Sequence, residues 1–118
     1  MTTKTMKADQ PRATTRDLII VKATYTVKKE FVSENLENVR AFIADLRVHQ
    51  GIRYLAFLGD DGQTFTHLAL SESAEAQKGL LSLESFQDFQ KRRDENLIGD
   101  PRLESMTLVA NSFDIFNH

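Results

Sequence analysis

The stretch IRYLAFLGDDGQTFTHLALS, residues 52–71, predicts a β-hairpin from which the rest of the fold can be worked out. Its two halves are rich in apolar, aromatic and β-branched residues, as strands are. Between them, GDDGQ at 59–63 contains an Asp-Gly pair, which favours the positive φ angles of a tight hairpin turn. We therefore expect two neighbouring antiparallel strands joined at this turn.

The register of this hairpin decides which side chains share a face. If the loop contains an even number of residues, the numbers of paired residues add up to 123, whereas a three-residue loop would introduce a bulge and break this pairing. With the even loop, one face contains three cross-strand pairs: Leu58 with Phe65, Ala56 with His67, and Tyr54 with Ala69. The opposite face is more uniformly aliphatic and includes Leu55, Phe57, Leu68 and Leu70.

A strand and a helix precede the hairpin. Residues 18–27, LIIVKATYTV, are rich in β-branched residues and apolar at alternate positions, which predicts a first strand. Apolar residues then recur at spacings of four and three, which predicts a helix from about 33 to 48 with Ser33 as N-cap and Gly51 as stop signal. The apolar stripe of this helix consists of Val32, Leu36, Val39, Ile43 and Leu46.

A second helix and a last strand follow the hairpin. Ser73 is a good N-cap residue, and apolar residues at helical spacing predict a helix from about 74 to 95. Its stripe consists of Ala76, Leu80, Leu83, Phe86 and Gln90, flanked by Phe89. Residues 97–105 contain Gly and Asp-Pro signals and predict a loop, whereas residues 106–113 predict the final strand.

The element order β-α-β-β-α-β predicts a ferredoxin-like α+β fold, in which a four-stranded antiparallel sheet has two helices on one face. The candidate open face contains Ile52, Tyr54, Leu58, Phe65 and His67. Burying each large apolar side chain contributes about 1.5–3 kcal/mol, so we expect a partner to cover this face. A second copy related by a two-fold axis would give a homodimer through the open sheet face, a dimeric α+β barrel. Residues 113–117, FDIFN, either dock on that partner or cap their own core.

Length and composition limit the possible functions. A chain of 118 residues is consistent with one domain, residues 18–118, preceded by a flexible tail, residues 1–17. The net charge of −2 and the absence of a signal peptide or membrane span predict no nucleic acid and no membrane as partner. Cysteine is absent, which excludes disulfides and thiolate chemistry and favours a cytoplasmic protein. The three histidines lack metal-ligand spacing, so we expect no metal. The sequence has no glycine-rich phosphate-binding motif, and we expect no cofactor.

Two motifs, together with the element order, point to a known family. TYTVKKEF at 24–31 leads into the first helix, and LESFQDFQK at 83–91 places a Phe-x-x-Phe pair late in the second. In these features residues 18–112 resemble the antibiotic biosynthesis monooxygenase-like group of dimeric α+β barrel proteins. The resemblance implies a homodimer that binds a small molecule, and an oxidoreductase where the member is catalytic.

The sequence departs from the family at its functional positions. Oxygenase members often end the third strand with Glu-x-Trp, which would fall near Ala69 and Ser71, but this chain has no Trp. The Asn of the haem-degrading branch would fall near Ala23, and a His that many relatives have on the second helix near Leu80 or Ser85. These differences argue against haem degradation and leave a cofactor-free oxygenase of the quinone-forming type.

His67 is the candidate catalytic residue, because an imidazole with an ordinary pKa near 6.5 can take a proton from an acidic phenol or hold a carbonyl. Tyr54 is the second candidate, as an orienter of the ligand through its hydroxyl. A hydrogen-bonded packing role for His67 and a core-wall role for Tyr54 are the alternatives. The predicted pocket lining consists of Ala56, Leu58, Phe65, Ala69, Tyr25 and Asn111. The first strand contributes either Lys22 and Thr24 or Ala23 and Tyr25.

Two functions of different classes follow. The first is a small-molecule-binding dimeric barrel that acts as a cofactor-independent monooxygenase on an aromatic or polyketide-like substrate. The alternative is a non-catalytic dimeric binding or stress-related protein of the same fold. A lactone isomerase would need a facing acid and base, and the sequence offers no such pair. The space beside His67 separates the first two hypotheses, since the enzyme needs a pocket there.

Overall fold

A computed structural model describes residues 18–116; the predicted tail, residues 1–17, and the last two residues lie outside this range. Four strands form one antiparallel sheet in the order β2-β3-β1-β4. The strands are β1 (Ile19–Thr26), β2 (Ile52–Leu58), β3 (Thr64–Ser71) and β4 (Arg102–Met106), and the α-helices are α1 (Val32–Leu46), α2 (Ala74–Leu81) and α3 (Glu84–Asp94). This is the predicted ferredoxin-like arrangement.

The β2–β3 hairpin has the predicted register. Leu58 pairs with Phe65, Ala56 with His67, and Tyr54 with Ala69. The Gly59 amide donates to the Thr64 carbonyl at 2.7 Å, which leaves an even, four-residue loop. Gly62 has a φ of 74°, the left-handed conformation expected of an Asp-Gly turn.

Helix α1 begins earlier than predicted and turns a different face to the sheet. A 3₁₀ turn at Lys29–Phe31 runs directly into the helix, so Ser33 lies inside the helix rather than at its N-cap. The buried positions are Asn35, Val39, Phe42 and Leu46, while Val32, Leu36 and Ile43 are only partly buried. The stripe is therefore rotated towards Phe42, which has no exposed surface.

The predicted second helix is two helices. The Ser73 hydroxyl caps α2 by accepting from the Ala76 amide at 3.0 Å, as expected. The helix then ends at Leu81, and Leu83 adopts an extended conformation before α3 begins. The break allows Leu80 of α2 and the Phe-x-x-Phe pair of α3, Phe86 and Phe89, all to be buried against the sheet.

The prediction for the last strand was wrong. β4 is formed by Arg102–Met106, within the segment predicted to be a loop, and residues 107–116 form no strand. β4 is an edge strand that pairs only with β1, from Thr24–Arg102 to Ile20–Met106. Its position is set by that long-range pairing rather than by β-propensity, which is higher in the TLV segment that follows.

The prediction of which sheet face is open was also wrong. The helices cover the face that contains Tyr25, Ile52, Phe65 and His67, which pack with the aromatic residues of α1 and α3. The aliphatic face is the open one, with Leu55 44% and Phe57 50% exposed. The polar groups of the covered face are tolerated in the core because they bond to one another. A site at His67 therefore lies within one subunit and not between two sheets.

The C-terminal segment returns to the open face of its own sheet. Phe116 is buried, and the Arg53 guanidinium lies 4.8 Å from the centre of its ring. Arg53, Leu70 and Ile20 are neighbours across β2, β3 and β1 on this face. Phe113 remains 69% exposed. The segment therefore anchors on its own chain through Phe116 and leaves Phe113 unpacked.

Candidate functional site

The imidazole of His67 lies between two tyrosines in the interior. His67 is 2% exposed, its Nε2 lies 2.9 Å from the Tyr25 hydroxyl, and its Nδ1 lies 2.7 Å from the Tyr54 hydroxyl. The ring stacks on Phe89 of α3, with centroids 5.5 Å apart and an interplanar angle of 18°. Both ring nitrogens are therefore hydrogen-bonded by side chains from the two strands that flank β3.

The strand register explains why both tyrosines reach His67. The residues directly opposite His67 are Ala23 on β1 and Ala56 on β2. Alanine leaves space on both sides of the imidazole, and the diagonal neighbours, Tyr25 and Tyr54, extend across it. Diagonal cross-strand positions are about 7–8 Å apart, which is within reach of an aromatic side chain. The two alanines thus make room for a network of hydrogen-bonded side chains, Tyr25–His67–Tyr54.

Asn35 of α1 extends this chain and sets its direction. Its Nδ2 donates to the Tyr25 hydroxyl at 2.9 Å, and the residue is fully buried. Tyr25 can then donate its own proton to Nε2 of His67, which leaves the imidazole proton on Nδ1, where it is donated to the Tyr54 oxygen. In this arrangement the Tyr54 hydroxyl proton has no acceptor among the described residues, so it is the free donor at the Tyr54 end of the network.

The opposite orientation of the Asn35 side-chain amide, with Oδ1 and Nδ2 exchanged, is less favourable. In the orientation described, Oδ1 of Asn35 is the atom left without a hydrogen-bond partner. Rotating the amide would instead leave a buried NH₂ group with two unsatisfied donors, and each unsatisfied buried donor costs about 1–3 kcal/mol. The structure therefore favours the order Asn35, Tyr25, His67, Tyr54 from donor to acceptor.

Burial keeps the hydrogen-bonded side chains of His67, Tyr25 and Tyr54 uncharged at neutral pH. Desolvation, followed by the positive charge of Arg93, lowers the pKa of His67 from 6.5 to about 4. Desolvation raises the pKa of Tyr25 and of Tyr54 well above the usual value of 10.0. His67 is consequently a neutral imidazole and both tyrosines are neutral phenols.

A cavity of about 250 Å³ opens beside the hydrogen-bond network of His67, between the sheet and helices α2 and α3. Its lining consists of Val21, Ala23, Tyr54, His67, Ala69, Ser71, Gln77, Leu80, Leu81, Phe86, Phe89, Gln90, Arg93 and Leu103. Leu81 and Leu103 are 48% and 72% exposed, so they lie at its rim. An apolar cavity of about 150 Å³ holds benzene. The volume therefore suits a ligand of one or two rings and is below the roughly 300–1,000 Å³ of drug-sized sites.

Arg93 of α3 is the charged residue of the lining. Its side chain is only 13% exposed, and the guanidinium lies 5.3 Å from the Tyr25 ring centre and 5.4 Å from that of Phe89. Nε donates a hydrogen bond to Oδ1 of Asp94 at 3.0 Å, and Nη2 forms an ion pair with the same oxygen at 2.8 Å. A guanidinium held against aromatic faces is stabilised by cation–π attraction. It places a fixed positive charge at the wall of an apolar space.

The structure brings together only part of the predicted site. His67, Tyr54 and Ala69 line the cavity. Tyr25 does not line it but is hydrogen-bonded to His67. Ala23 and Tyr25, rather than Lys22 and Thr24, are the residues of β1 on this face, since they pair with His67 and Phe65. Ala56, Leu58 and Phe65 instead line a separate groove of about 200 Å³ against α1. Asn111 lies exposed in the C-terminal segment, where its amide bonds to the Phe113 carbonyl.

Sequence reasoning missed Asn35 and Arg93. Asn35 lies at helical spacing from Val39, Phe42 and Leu46, so its place on the buried face was the available signal. Arg93 belongs to a basic run, Lys91-Arg92-Arg93, that has the appearance of a solvated helix end. Among the described residues no group of three or more His, Cys, Asp or Glu side chains could hold a metal ion. Within the same range no helix has the length and apolar character needed to cross a membrane.

Comparison with solved structures identifies the fold but not the activity. No protein-family model matches the sequence, and no curated protein matches it significantly. A candidate antibiotic biosynthesis monooxygenase from Bacteroides thetaiotaomicron has a TM-score of 0.76 and 12% identity, covering 86% of this chain and 99% of its own. A similarly described protein from Caulobacter crescentus has a TM-score of 0.70 and 20% identity, covering 80% and 92%.

A third similar structure is that of a cofactor-independent oxygenase. SnoaB from Streptomyces nogalater, solved as a point mutant, has a TM-score of 0.66 and 13% identity, covering 83% of this chain and 99% of its own. The chain therefore has the ferredoxin-like fold of antibiotic biosynthesis monooxygenase-like proteins, as the sequence motifs predicted. Identities at this level establish the fold alone.

Proposed function

We propose that this protein binds a small aromatic molecule in the cavity beside His67 and oxygenates it without a cofactor. The observation that supports this most strongly is the chain Asn35–Tyr25–His67–Tyr54, which ends at the wall of that cavity. Buried polar groups that converge on an apolar cavity are the usual make-up of a ligand site. Similarity in fold to a cofactor-independent oxygenase supports the choice of reaction.

The cavity narrows the substrate class from the one expected on sequence. A polyketide-like compound of three or four rings is too large for 250 Å³, whereas a phenol or naphthol is not. Phe86, Phe89 and Leu80 provide the apolar surface for the ring. The Tyr54 hydroxyl and the imidazole lie where an oxygen of the ligand would be placed.

The reaction would begin with loss of the phenolic proton towards Tyr54 and His67. The anion gives an electron to O₂, the two radicals combine to form a C–O bond, and the resulting peroxide loses water. One oxygen atom becomes the new carbonyl of a quinone, and the other leaves as water with the two hydrogens of the substrate. For Nδ1 to accept the proton through Tyr54, His67 must first be in the other tautomer, with its own proton on Nε2 and donated to the Tyr25 oxygen, which reverses the resting direction of the network.

The main energetic obstacle is the weak basicity of His67. A pKa of about 4 lies roughly six units below that of an ordinary phenol, which corresponds to about 8 kcal/mol for the proton transfer. Stabilisation of the anion is therefore needed, and the guanidinium of Arg93 is the group in the lining that provides it. Substrates more acidic than phenol are expected to react faster.

Oxygen consumption with a series of phenols and naphthols tests the proposal. Tyr54→Phe keeps the ring and removes the hydroxyl that faces the ligand, so turnover should fall by about a hundredfold or more. Leu58→Ala, in the separate groove against α1, is the control and should leave turnover unchanged. The absence of oxygen uptake with every compound, or unchanged uptake in Tyr54→Phe, contradicts the oxygenase.

The same weak basicity favours a second candidate, a binding protein that performs no reaction. A neutral imidazole with both nitrogens occupied is suited to hold a ligand oxygen through Tyr54 without moving a proton. In that case ligands bind in the cavity, and Tyr54→Phe weakens binding but no oxygen is consumed. The two candidates share one site and differ in this single readout.

We further propose that the open sheet face pairs with a second copy. Leu55 and Phe57 are about half exposed, and Leu68 and Leu70 beside them are only partly buried. Apolar side chains grouped on one face mark an interaction surface, and a two-fold related copy offers a matching one. The site itself lies on the other side of the sheet, so dimerisation would support the site without contributing residues to it.

A further inference from the structure

We propose that the ligand of the His67 cavity is an anion, an aromatic acid whose carboxylate pairs with Arg93. This rests on the proposed function, because it requires that the cavity holds a ligand. It adds the charge of the ligand and its orientation in the cavity. Arg93 lines the cavity, the rest of the lining among the described residues is neutral, and the ion-pair partner of Arg93, Asp94, is 56% exposed.

Arg93 has hydrogen-bonding capacity left over. Nε donates to one oxygen of Asp94, and Nη2 forms an ion pair with the same oxygen. Nη1 has no partner among residues 18–116, although the side chain is largely buried and lines the cavity. A guanidinium has five N–H donors in a planar fork that matches a carboxylate. The unused edge of Arg93 is therefore a carboxylate-binding group.

The rest of the lining does not neutralise this charge. Among residues 18–116 Arg93 is its only charged member, and the other polar members are neutral side chains: Tyr54, His67, Ser71, Gln77 and Gln90. Asp94, the counter-ion, is 56% exposed and is not part of the lining. A single positive charge in an apolar space attracts an anion more strongly than one in water does.

The field of Arg93 reaches the functional end of the cavity. Its charge contributes to the lowered pKa of His67 and lowers that of Tyr25 against the effect of burial. An anion placed between Arg93 and Tyr54 is therefore stabilised from both sides. The orientation follows: the ring lies against Phe86 and Phe89, and the acid group lies at Arg93.

Asp94 competes weakly for the guanidinium. Asp94 is 56% exposed, so water screens its side of the ion pair, whereas the guanidinium of Arg93 is largely buried. A buried ligand carboxylate can therefore replace Asp94 or bind beside it. Removing the competing charge in Asp94→Asn should strengthen binding of an anion and leave binding of a neutral ligand unchanged.

Calorimetry with a matched pair of ligands tests the inference. 2-Naphthoate and 2-naphthamide have nearly the same shape and differ in charge at neutral pH. The wild-type protein should bind naphthoate about tenfold or more tightly than naphthamide, since hydrogen bonds to a charged group are the stronger ones. The preference should decrease as salt is added, as expected for an ion pair.

Two neighbouring arginines provide the variant and its control. Arg93→Met keeps much of the apolar stem and should abolish the preference for naphthoate, while Arg93→Lys should retain part of it. Arg92→Gln removes an exposed arginine that pairs with Glu34 and Asp88 outside the cavity, and should retain the full preference. The wild-type comparison stands even if Arg93→Met fails to fold.

The possible outcomes are distinct. Equal affinity of the wild-type protein for both compounds overturns the anionic ligand and leaves the cavity as a binding site. A preference for naphthoate that survives in Arg93→Met places the acid group elsewhere and also overturns the inference. Binding of neither compound also overturns the inference, whereas the proposed function is decided separately by oxygen uptake with phenols and naphthols.

Discussion

Tyr54 and His67 are joined by a 2.7 Å hydrogen bond from side chain to side chain, although neither residue is the direct cross-strand partner of the other. The direct partner of His67 on β2 is Ala56, and its small side chain leaves room for Tyr54 to extend diagonally. The same relationship on β1 brings Tyr25 to the other nitrogen. The site therefore depends as much on two alanines as on its polar residues.

Acid stability should report the neutral state of His67. In the unfolded chain the histidine takes up a proton near pH 6.5, but in the folded protein it does so only near pH 4. The unfolded state thus binds more protons between these values, and the free energy of unfolding decreases as the pH falls through this window. Among the described residues, Tyr25 and Tyr54 bond to the imidazole and the positive charge of Arg93 acts on it; burial raises the pKa of both tyrosines, so they remain protonated throughout this range.

Denaturant unfolding at several pH values measures this effect. Between pH 7 and pH 4 the wild-type protein should lose on the order of 3 kcal/mol more stability than His67→Gln, which lacks the titrating group. Loss of stability from the carboxylates is common to both proteins and cancels in the comparison. Parallel pH profiles for the two proteins would show that His67 is not held neutral by burial.

Alkaline titration should detect no free tyrosine in the native state. The chain has two tyrosines and no tryptophan, so its tyrosinate absorbance comes from Tyr25 and Tyr54 alone. Burial raises the pKa of both, and neither should ionise near pH 10. Absorbance should increase only as the protein unfolds, as followed by circular dichroism. A stepwise increase near pH 10 with the fold intact would place a tyrosine in water.

Asn35 should matter more to stability than its neighbour Asn38. Asn35→Ala leaves the Tyr25 oxygen without its donor and should cost about 1–3 kcal/mol. Nδ2 of Asn38 is buried and has no hydrogen-bond partner in the described part of the protein, so Asn38→Ala removes no hydrogen bond at that atom and should be close to neutral. Chemical denaturation of both variants provides the comparison. Equal losses would mean that the hydrogen bond to Tyr25 contributes nothing specific.

Charge on the open face should separate the proposed dimer. Phe57→Glu introduces a carboxylate at a half-exposed position of β2, where it would meet the second copy. We expect the wild-type protein to sediment as a dimer at micromolar concentrations and the variant as a folded monomer. Leu81→Glu, at an exposed position of α2 on the helix side, is the control and should remain dimeric. A monomeric wild-type protein would contradict the dimer.

The sequence was sufficient to predict the hairpin, its register and the order of the elements, because these depend on local turn chemistry and on the alternation of apolar residues. The covered face could not be predicted in the same way. Both faces of β2 and β3 contain large apolar residues, and burial of the more polar one depends on a bond between Tyr25 and His67, which are 42 residues apart. The position of β4 depends on long-range pairing for the same reason.

The cavity could be predicted only in part. His67, Tyr54 and Ala69 share a face by register alone, so their proximity follows from the hairpin. Arg93 enters the site because α3 begins again after a break at residues 82–83, and the break sets which side of the helix faces the sheet. The sequence predicted one continuous helix from 74 to 95, and from such a helix the orientation of Arg93 towards the sheet could not be predicted.

Nuclear magnetic resonance of the His67 ring nitrogens tests the central claim that a neutral, doubly hydrogen-bonded imidazole lies at the wall of a ligand cavity. At pH 6 the free protein should show a neutral ring with its proton on Nδ1, and saturating 2-naphthoate should shift both ring nitrogens and the resonances of Phe86 and Phe89. An imidazolium at pH 6, or ring signals that do not respond to any one- or two-ring ligand, would contradict the account.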